Sequence, residues 1–366
     1  MVQYKPSQSL GERLRQDAED CISCKLCMRG CPMLEDFGDD PKDIYQTIEQ
    51  KGSYPHMLPF SCLLCGYCEK VCPKGISCKD AFYQMRLEII EQEGKVPDYT
   101  NAKGGLFHQK VMLNHTLMKP AVQRGKSIFF PGCGLQFDDN ALVMDVFRFM
   151  KKHMDVGISN ACCAKPTAML GLKEEADSHV AYLEKEWKEQ GVTQIIAGCQ
   201  NCFLTLHRDL KEIPVVSVYE ILAEIGVPEA AKNRYAGRTM VIHDPCPTRN
   251  QPEIHDAVRS LSKELGINVE ELAFSREKTL CCGKGGMTPH TAPETSIKHV
   301  NRRRNEFTHD CLTYCRECTN ALASPEQKTF HMLDLLFSKE PMVEQKPFAS
   351  PIAGYARRIF SKGLMK

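Results

Sequence analysis

Leu280-Cys281-Cys282-Gly283-Lys284-Gly285-Gly286 and Ala161-Cys162-Cys163-Ala164-Lys165-Pro166 are the two stretches around which the chain is arranged. Adjacent cysteines rarely bridge to each other, because disulfide geometry is too demanding for neighbours. Two thiolates side by side, followed by glycines, suit a metal cluster that needs close sulfurs and close backbone approach. Each doublet has a lone cysteine before it, Cys133 or Cys246. Each also has a C-x-x-C after it, Cys199 with Cys202 or Cys315 with Cys318.

Outward from the doublets, the grammar from Ser127 on is short strands alternating with helices. Ile128-Phe129-Phe130 is a strand running into Pro131-Gly132-Cys133. A helix over 138–153 follows, and a strand over 156–159 delivers Cys162-Cys163. A long helix is expected over 166–190, then a strand over 193–197 that delivers Cys199 and Cys202. The pattern repeats. Met240-Val241-Ile242-His243-Asp244-Pro245-Cys246 is strand then cysteine, 251–265 is the helix, and a further helix lies near 291–305. Phe330 to Leu336 aligns with Val216 to Leu222. Equivalent cysteines are offset by 113 for the lone residues, 119 for the doublets and 116 for both members of the closing pair. Offsets this similar indicate internal duplication. The two α/β halves should pack with pseudo-twofold symmetry, their cysteines at strand ends, where α/β units usually place ligands.

The N-terminal region reads differently. After a short polar helix over 7–20 comes Cys21-x-x-Cys24-x-x-Cys27-x-x-x-Cys31-Pro32, which recurs as Cys62-x-x-Cys65-x-x-Cys68-x-x-x-Cys72-Pro73. This is the bacterial ferredoxin run, in which the fourth cysteine ligates the other cluster. The expected ligand sets are Cys21, Cys24, Cys27 and Cys72 for one [4Fe–4S] cube, and Cys62, Cys65, Cys68 and Cys31 for the other. Zinc, which favours paired C-x-x-C, is the weaker reading. The 30 residues between Cys31 and Cys62 contain a helical stretch near 44–48, so an α-helical dicluster domain is expected. Ala81, Phe82, Met85, Leu87 and Ile90 continue it as an amphipathic helix. Lys25, Arg29, Lys70 and Lys74 read as surface residues.

The chain has 366 residues, 42% hydrophobic and 25% charged, with a formal net charge of +1. It is long for one core. No basic run points to nucleic acid. No apolar run reaches a membrane span. The first residues have no apolar signal core, which predicts a cytoplasmic protein. Of 20 cysteines, the cubes take eight and the two boxes ten; Cys78 and Cys311 remain and read as buried structural thiols. His108 and His115 read as packing or surface residues. The expected domains are a dicluster domain at 1–93, a linker at 94–126, halves at 127–237 and 238–337, and a tail at 338–366.

The two boxes resemble the cysteine-rich CCG domain, best known from the catalytic component of heterodisulfide reductase. The order, dicluster ferredoxin then two boxes, resembles the fused D-type component of that enzyme. It also resembles the C-type component of anaerobic glycerol-3-phosphate dehydrogenase and iron–sulfur components of lactate and glycolate oxidation systems. The resemblance implies a noncubane [4Fe–4S] cluster in each box, held by Cys133, Cys162, Cys163, Cys199 and Cys202, and by Cys246, Cys281, Cys282, Cys315 and Cys318. It departs at Ala164, where the family usually has glycine, and at Pro247, where it often has histidine. His243 is either a donor to cluster sulfur or a packing residue.

Two functions follow from the resemblance. In one, electrons pass through the cubes to the boxes, where a small-molecule disulfide is cleaved; Lys165 and Lys284 are then candidate contacts for a charged substrate. In the other, the boxes relay electrons between a flavin dehydrogenase of the glycerol-3-phosphate, lactate or glycolate type and a membrane quinone or cytochrome. No G-x-G-x-x-G follows a strand, so no flavin or nicotinamide is expected in this chain. Both readings require partner subunits. In the tail, Ile352, Tyr355, Ala356, Ile359, Phe360, Gly363 and Leu364 form an apolar stripe opposite Arg357, Arg358 and Lys362. This suggests an interfacial or docking helix, with peripheral membrane contact.

Overall fold

The computed structural model describes residues 2–340, so the expected tail helix lies outside the described residues. The chain divides into two compact units that interleave along the sequence. Of the described residues, one contains 2–108, 166–175 and 278–306; the other contains 109–165, 176–277 and 307–340.

Among its described residues the first unit is helical apart from one small antiparallel pair, β1 (Gln3–Tyr4) with β2 (Tyr54–Pro55). Its first helix, Gln8–Asp20, starts where the Ser7 side chain accepts the Leu10 N–H. The helix Pro41–Lys51 starts in the same way at Asp40, with Pro41 at its first position, and ends at Gly52. Leu10, Leu14 and Ala18 fall four residues apart and are buried in one core with Ile44, Tyr45, Ile48, Phe82, Met85 and Ile89. The insert between the ferredoxin runs is thus helical. On the helix Cys78–Glu93 the buried residues include Ala81, Phe82, Met85, Arg86 and Ile89. Leu87 and Ile90, expected on that stripe, are only half-buried. Arg86 occupies the core in their place, a residue that an apolar pattern passes over.

The second unit holds two four-stranded parallel sheets. The first contains β3 (Ser127–Phe130), β4 (Val156–Ile158), β5 (Gln194–Ala197) and β6 (Val215–Ser217), in the order β4-β3-β5-β6. The second contains β7 (Thr239–His243), β8 (Asn268–Glu271), β9 (Cys311–Thr313) and β10 (Thr329–His331), in the order β10-β9-β7-β8. Counted from their own first strands, both sheets run second, first, third, fourth. Most strands are short apolar runs buried on both faces, as parallel strands are. β8 is the exception: Asn268-Val269-Glu270-Glu271 is an edge strand with a polar, half-exposed surface, and it carries no apolar pattern to find. Cys311 opens β9 opposite Val241 and is fully buried.

The expected helix over 166–190 is two helices, Lys165–Met169 and Lys173–Glu189. Gly171 breaks it with φ +95°. The helix near 291–305 is likewise divided, into Thr288–Thr291 and Pro293–Arg304, because Pro293 starts a new first turn.

Candidate metal centres

Two cavities in the first unit are lined by the ferredoxin-run cysteines. One is bordered by Cys21, Cys24, Cys27 and Cys72. The other is bordered by Cys31, Cys62, Cys65 and Tyr67. Cys68 and Cys78 border both. The fourth cysteine of each run therefore lies with the close trio of the other run. Ser23, Lys25 and Leu64, between the ligand positions, take left-handed backbone with φ of 53°, 58° and 52°. Such conformations cost energy and persist where surrounding structure imposes them. One effect is visible at Leu64, whose N–H donates to Cys62 Sγ at 3.4 Å. Burial, then the neighbouring Cys68, Cys21 and Cys72, pushes the Cys27 thiol up to about 12. Burial and Cys68 push Cys62 up to about 12 as well, with Arg86 pulling the other way. Sulfurs crowded this closely are held as thiolates only by a cationic partner, and an all-sulfur set suits a soft metal or iron–sulfur cluster.

Two residues of this unit are passed over by the sequence reading of the site. Cys78 is buried, as a structural thiol should be, but it also hydrogen-bonds Cys68, whose thiol is pulled down by that bond. Arg86 is fully buried and donates to four backbone carbonyls among the described residues: Pro59 at 2.9 Å, Cys62 at 2.7 Å, Met169 at 2.5 Å and Gly286 at 2.8 Å. Its guanidinium also lies 5.1 Å from the Phe60 ring centre. Burial brings it down to about 10. The one hint is a lone arginine on an apolar helix face. Lys25, Arg29, Lys70 and Lys74 are exposed.

The first box lies wholly in the second unit. β4, β3 and β5 are neighbours in the sheet, and each runs into a cysteine. Cys133 opens the helix Cys133–Asp138, Cys162-Cys163 follow β4, and Cys199 caps the helix Gln200–Asp209. Cys133 and Cys162 have their sulfurs 3.9 Å apart. Cys162 also bonds Cys163, Cys163 bonds Cys202, and Cys202 bonds Cys199. All five sulfurs thus form one chain of contacts. Cys163 is pulled well below its ordinary value by hydrogen bonds from Cys162 and then Cys202. Gly132, φ +83°, lets the backbone pass here: a Cβ on it would lie 2.5 Å from Cys199 Cβ and 3.2 Å from Cys202 Sγ. The site is a cradle of sulfur donors that fits a compact cluster.

Behind the doublet, His179 Nε2 lies 2.9 Å from the Cys162 carbonyl, and its Nδ1 lies 3.1 Å from His115 Nε2. His115 stacks on Tyr182 with ring centres 3.7 Å apart. His115 is thus the outer member of a histidine pair; His179 escapes sequence reasoning, because a lone histidine in a helix gives no signal. Lys165 donates to Asn201 Oδ1 at 2.6 Å.

The second box is divided. Cys246, Cys315 and Cys318 belong to the second unit, Cys281 and Cys282 to the first. Cys246 follows β7 in the turn Cys246–Thr248, and Cys315 caps the helix Arg316–Leu322 after β9. His243 is fully buried at the end of β7, and its carbonyl accepts the Thr313 hydroxyl at 2.9 Å. Lys284 is exposed. Burial alone would raise Asp244, but Arg259, bonded to both carboxylate oxygens at 2.9 Å, brings it down to about 2. Asp244 also accepts the Tyr314 hydroxyl at 2.8 Å and the Arg276 N–H at 2.7 Å. It ties the loop before Cys246 to the residue before Cys315.

Within the second unit the closing pairs of the two boxes meet. Asn201 Nδ2, between Cys199 and Cys202, lies 3.9 Å from Cys315 Sγ. Arg316, between Cys315 and Cys318, is bidentate to Asp334 at 2.8 Å and lies 3.6 Å from Asp138, at the end of the Cys133 helix. Tyr219 donates to the Tyr314 carbonyl at 3.1 Å. Among the described residues no helix is long and apolar enough to cross a membrane.

The 4Fe-4S dicluster domain family matches residues 17–76. The cysteine-rich domain family, CCG, matches twice, over 128–207 and 240–323. An uncharacterised iron-sulfur protein of Methanococcus maripaludis is 22% identical, covering 78% of this chain and 62% of that protein. The B-type component of the CoM/CoB fumarate reductase of Methanothermobacter marburgensis is 24% identical, covering 81% of this chain and 66% of that protein. The D-type component of the dihydromethanophenazine:CoB–CoM heterodisulfide reductase of Methanosarcina barkeri is 23% identical, covering 77% of this chain and 81% of that protein. The chain spans less than two thirds of the length of the first two of these relatives.

Proposed function

Since the chain is a CCG-domain iron–sulfur protein, related to oxidoreductase subunits, we propose that it reduces or forms a small-molecule disulfide at its two cysteine boxes. Cys21, Cys24, Cys27 and Cys72 hold one cubane [4Fe–4S] cluster, and Cys62, Cys65, Cys68 and Cys31 hold the other. Cys133, Cys162, Cys163, Cys199 and Cys202 hold a noncubane cluster, and the five cysteines of the second box hold a second one. A cluster bound in each box supplies iron that captures a thiolate sulfur and passes single electrons. In the reducing direction the S–S bond breaks, two electrons arrive from a partner protein, and two protons from solvent complete two thiols. Lys165, with its ammonium on Asn201, and exposed Lys284 contact the charged ends of the substrate. His243 steadies the second box. The shared strand order of the two sheets supports a duplicated domain with pseudo-twofold symmetry.

The observation that carries this reading is Asn201 against Cys315 Sγ at 3.9 Å. It supports two sulfur-rich centres facing one substrate rather than lying far apart. Partners are a flavoprotein or a membrane cytochrome or quinone-reducing protein, and the site of action is the cytoplasm or the inner membrane face.

A relay between a flavin dehydrogenase and a membrane quinone is the second reading. It is favoured by the closure of the first box, where Cys162, Cys163 and Cys202 are all buried. The test is a viologen-linked assay on the full chain, prepared anaerobically, with a series of anionic disulfides. Turnover of one of them, lost in Cys162→Ser and in Cys281→Ser, is the expected result. Reduction of the cubane centres without turnover of any disulfide favours the relay.

A further inference from the structure

The helix Pro293–Arg304 carries a histidine that the reading above leaves without a role. His299 is 2% exposed. It lines the cavity of Cys31, Cys62, Cys65 and Cys68. Its Nε2 is buried and has no hydrogen-bond partner among the described residues. Buried polar groups are almost always paired, so such an atom points to an acceptor that the polypeptide does not provide.

Its place is fixed from several sides, all within the first unit. Three residues earlier on the helix, Ser296 donates to the Gly283 carbonyl at 2.7 Å, so this helix face rests on the backbone just after Cys282. Lys298 pairs with Asp36, and Arg302 donates to the Arg29 carbonyl at 3.3 Å, which joins the helix to the chain around Cys31. Cys282 is also close enough for its charge to act on the His299 ring. One side chain therefore borders both the cavity of the second ferredoxin run and the second doublet. Solvent is excluded from it, which strengthens any hydrogen bond it makes.

We propose that His299 donates its Nε2–H to a sulfur of the cluster held by Cys31, Cys62, Cys65 and Cys68, and so sets the potential of that centre. The inference rests on the cluster assignment made above. Cluster potentials follow hydrogen bonding to the sulfurs. A donor stabilises the reduced, more negative state, so His299 raises the potential of the cube that lies beside the second doublet. It is a positioning and tuning residue, not a ligand. The cube of Cys21, Cys24, Cys27 and Cys72, whose cavity it does not line, is the internal control.

The experiment is an anaerobic redox titration of the full chain, read by low-temperature EPR, in the unsubstituted protein, His299→Leu and His299→Gln. The wave of the tuned cube is identified as the one that survives Cys24→Ser. In His299→Leu it should fall by about 59 mV, tenfold in the one-electron equilibrium. In His299→Gln, which keeps an N–H donor, the fall should be smaller, and the other cubane wave should not move in either variant. Equal potentials in His299→Leu and the unsubstituted protein would overturn the proposal. Where a variant does not fold, the unsubstituted protein labelled with ¹⁵N-histidine decides: pulsed EPR should show a weak histidine nitrogen coupling on the reduced cube, and its absence would overturn the proposal. The cluster assignment fails separately, if the unsubstituted chain shows no cubane signal and holds far fewer than about eight irons for the dicluster region.

Discussion

The two cysteine doublets look alike in sequence and are built into the molecule differently. Cys162-Cys163 sits in the same compact unit as the other three cysteines of its box, and the five sulfurs touch in a chain. Cys281-Cys282 belongs to the other unit, where its glycines lie against the second ferredoxin run. Arg86 binds the carbonyls of Gly286 and Cys62 at once. The second doublet is thus fastened to the backbone that carries one proposed cube, whereas the first is backed by a histidine pair. The doublets also differ at the following residue, yet both turn the same way: Ala164 has φ +59° and Gly283 has φ +89°. Glycine adopts this conformation freely; for alanine it costs about 1–2 kcal/mol.

Removing the fastening should give the largest effect. Arg86→Met deletes a fully buried cation with four carbonyl acceptors, and the stranded carbonyls should cost about 3 kcal/mol or more in denaturant unfolding. Iron bound at the second run should fall with it. Arg86→Lys should not rescue it, because a lysine cannot span four acceptors in one plane. Unchanged iron and unchanged stability in Arg86→Met would break the contrast between the doublets.

Asp244→Asn comes next. It leaves Arg259 half-paired in a buried setting and loosens Cys246 from Tyr314, at a cost of about 3 kcal/mol by the same unfolding measurement. Its effect should be confined to the second box, so that thiol alkylation after partial unfolding labels Cys246 before Cys133.

The doublet glycine sharpens the comparison from both sides. In Gly283→Ala the new Cβ would lie 2.6 Å from the Ser296 carbonyl oxygen and 2.7 Å from Val300, so about 2 kcal/mol of stability should be lost. Ala164→Gly should gain up to about 1 kcal/mol, as relief of the left-handed strain outweighs the added freedom of the unfolded chain. A loss on Ala164→Gly would mean that the alanine methyl is part of the packing around the first box. An effect of similar size, a loss of about 0.5–1.5 kcal/mol, is expected for Asn201→Leu, which removes an amide from between the boxes.

Much of this is legible in the sequence. Cysteine spacing needs no tertiary information, since a cluster dictates how far apart its ligands lie along the chain. The parallel strands are readable as well, because Ile128 to Phe130 and Met240 to Ile242 are apolar on both faces. What stays hidden depends on partners remote in sequence. Arg86 is unremarkable until Pro59, Cys62, Met169 and Gly286 converge on it. His299 and His179 each matter through neighbours hundreds or tens of residues of chain away, which no local pattern encodes. β8 escapes notice because its ladder bonds to β7 need no apolar side chains. The division of the second box between compact units is equally out of reach, because a repeat fixes which residues correspond and not which core they join.

The central claim is that two sulfur-rich centres act together on one disulfide. It is tested most directly by low-temperature EPR on the anaerobic full chain, titrated toward oxidation with and without candidate thiols. The account predicts a paramagnetic signal that appears only when the chain is oxidised and the thiol is present, and that disappears in both Cys162→Ser and Cys281→Ser. Spectra that are identical with and without every thiol would contradict it.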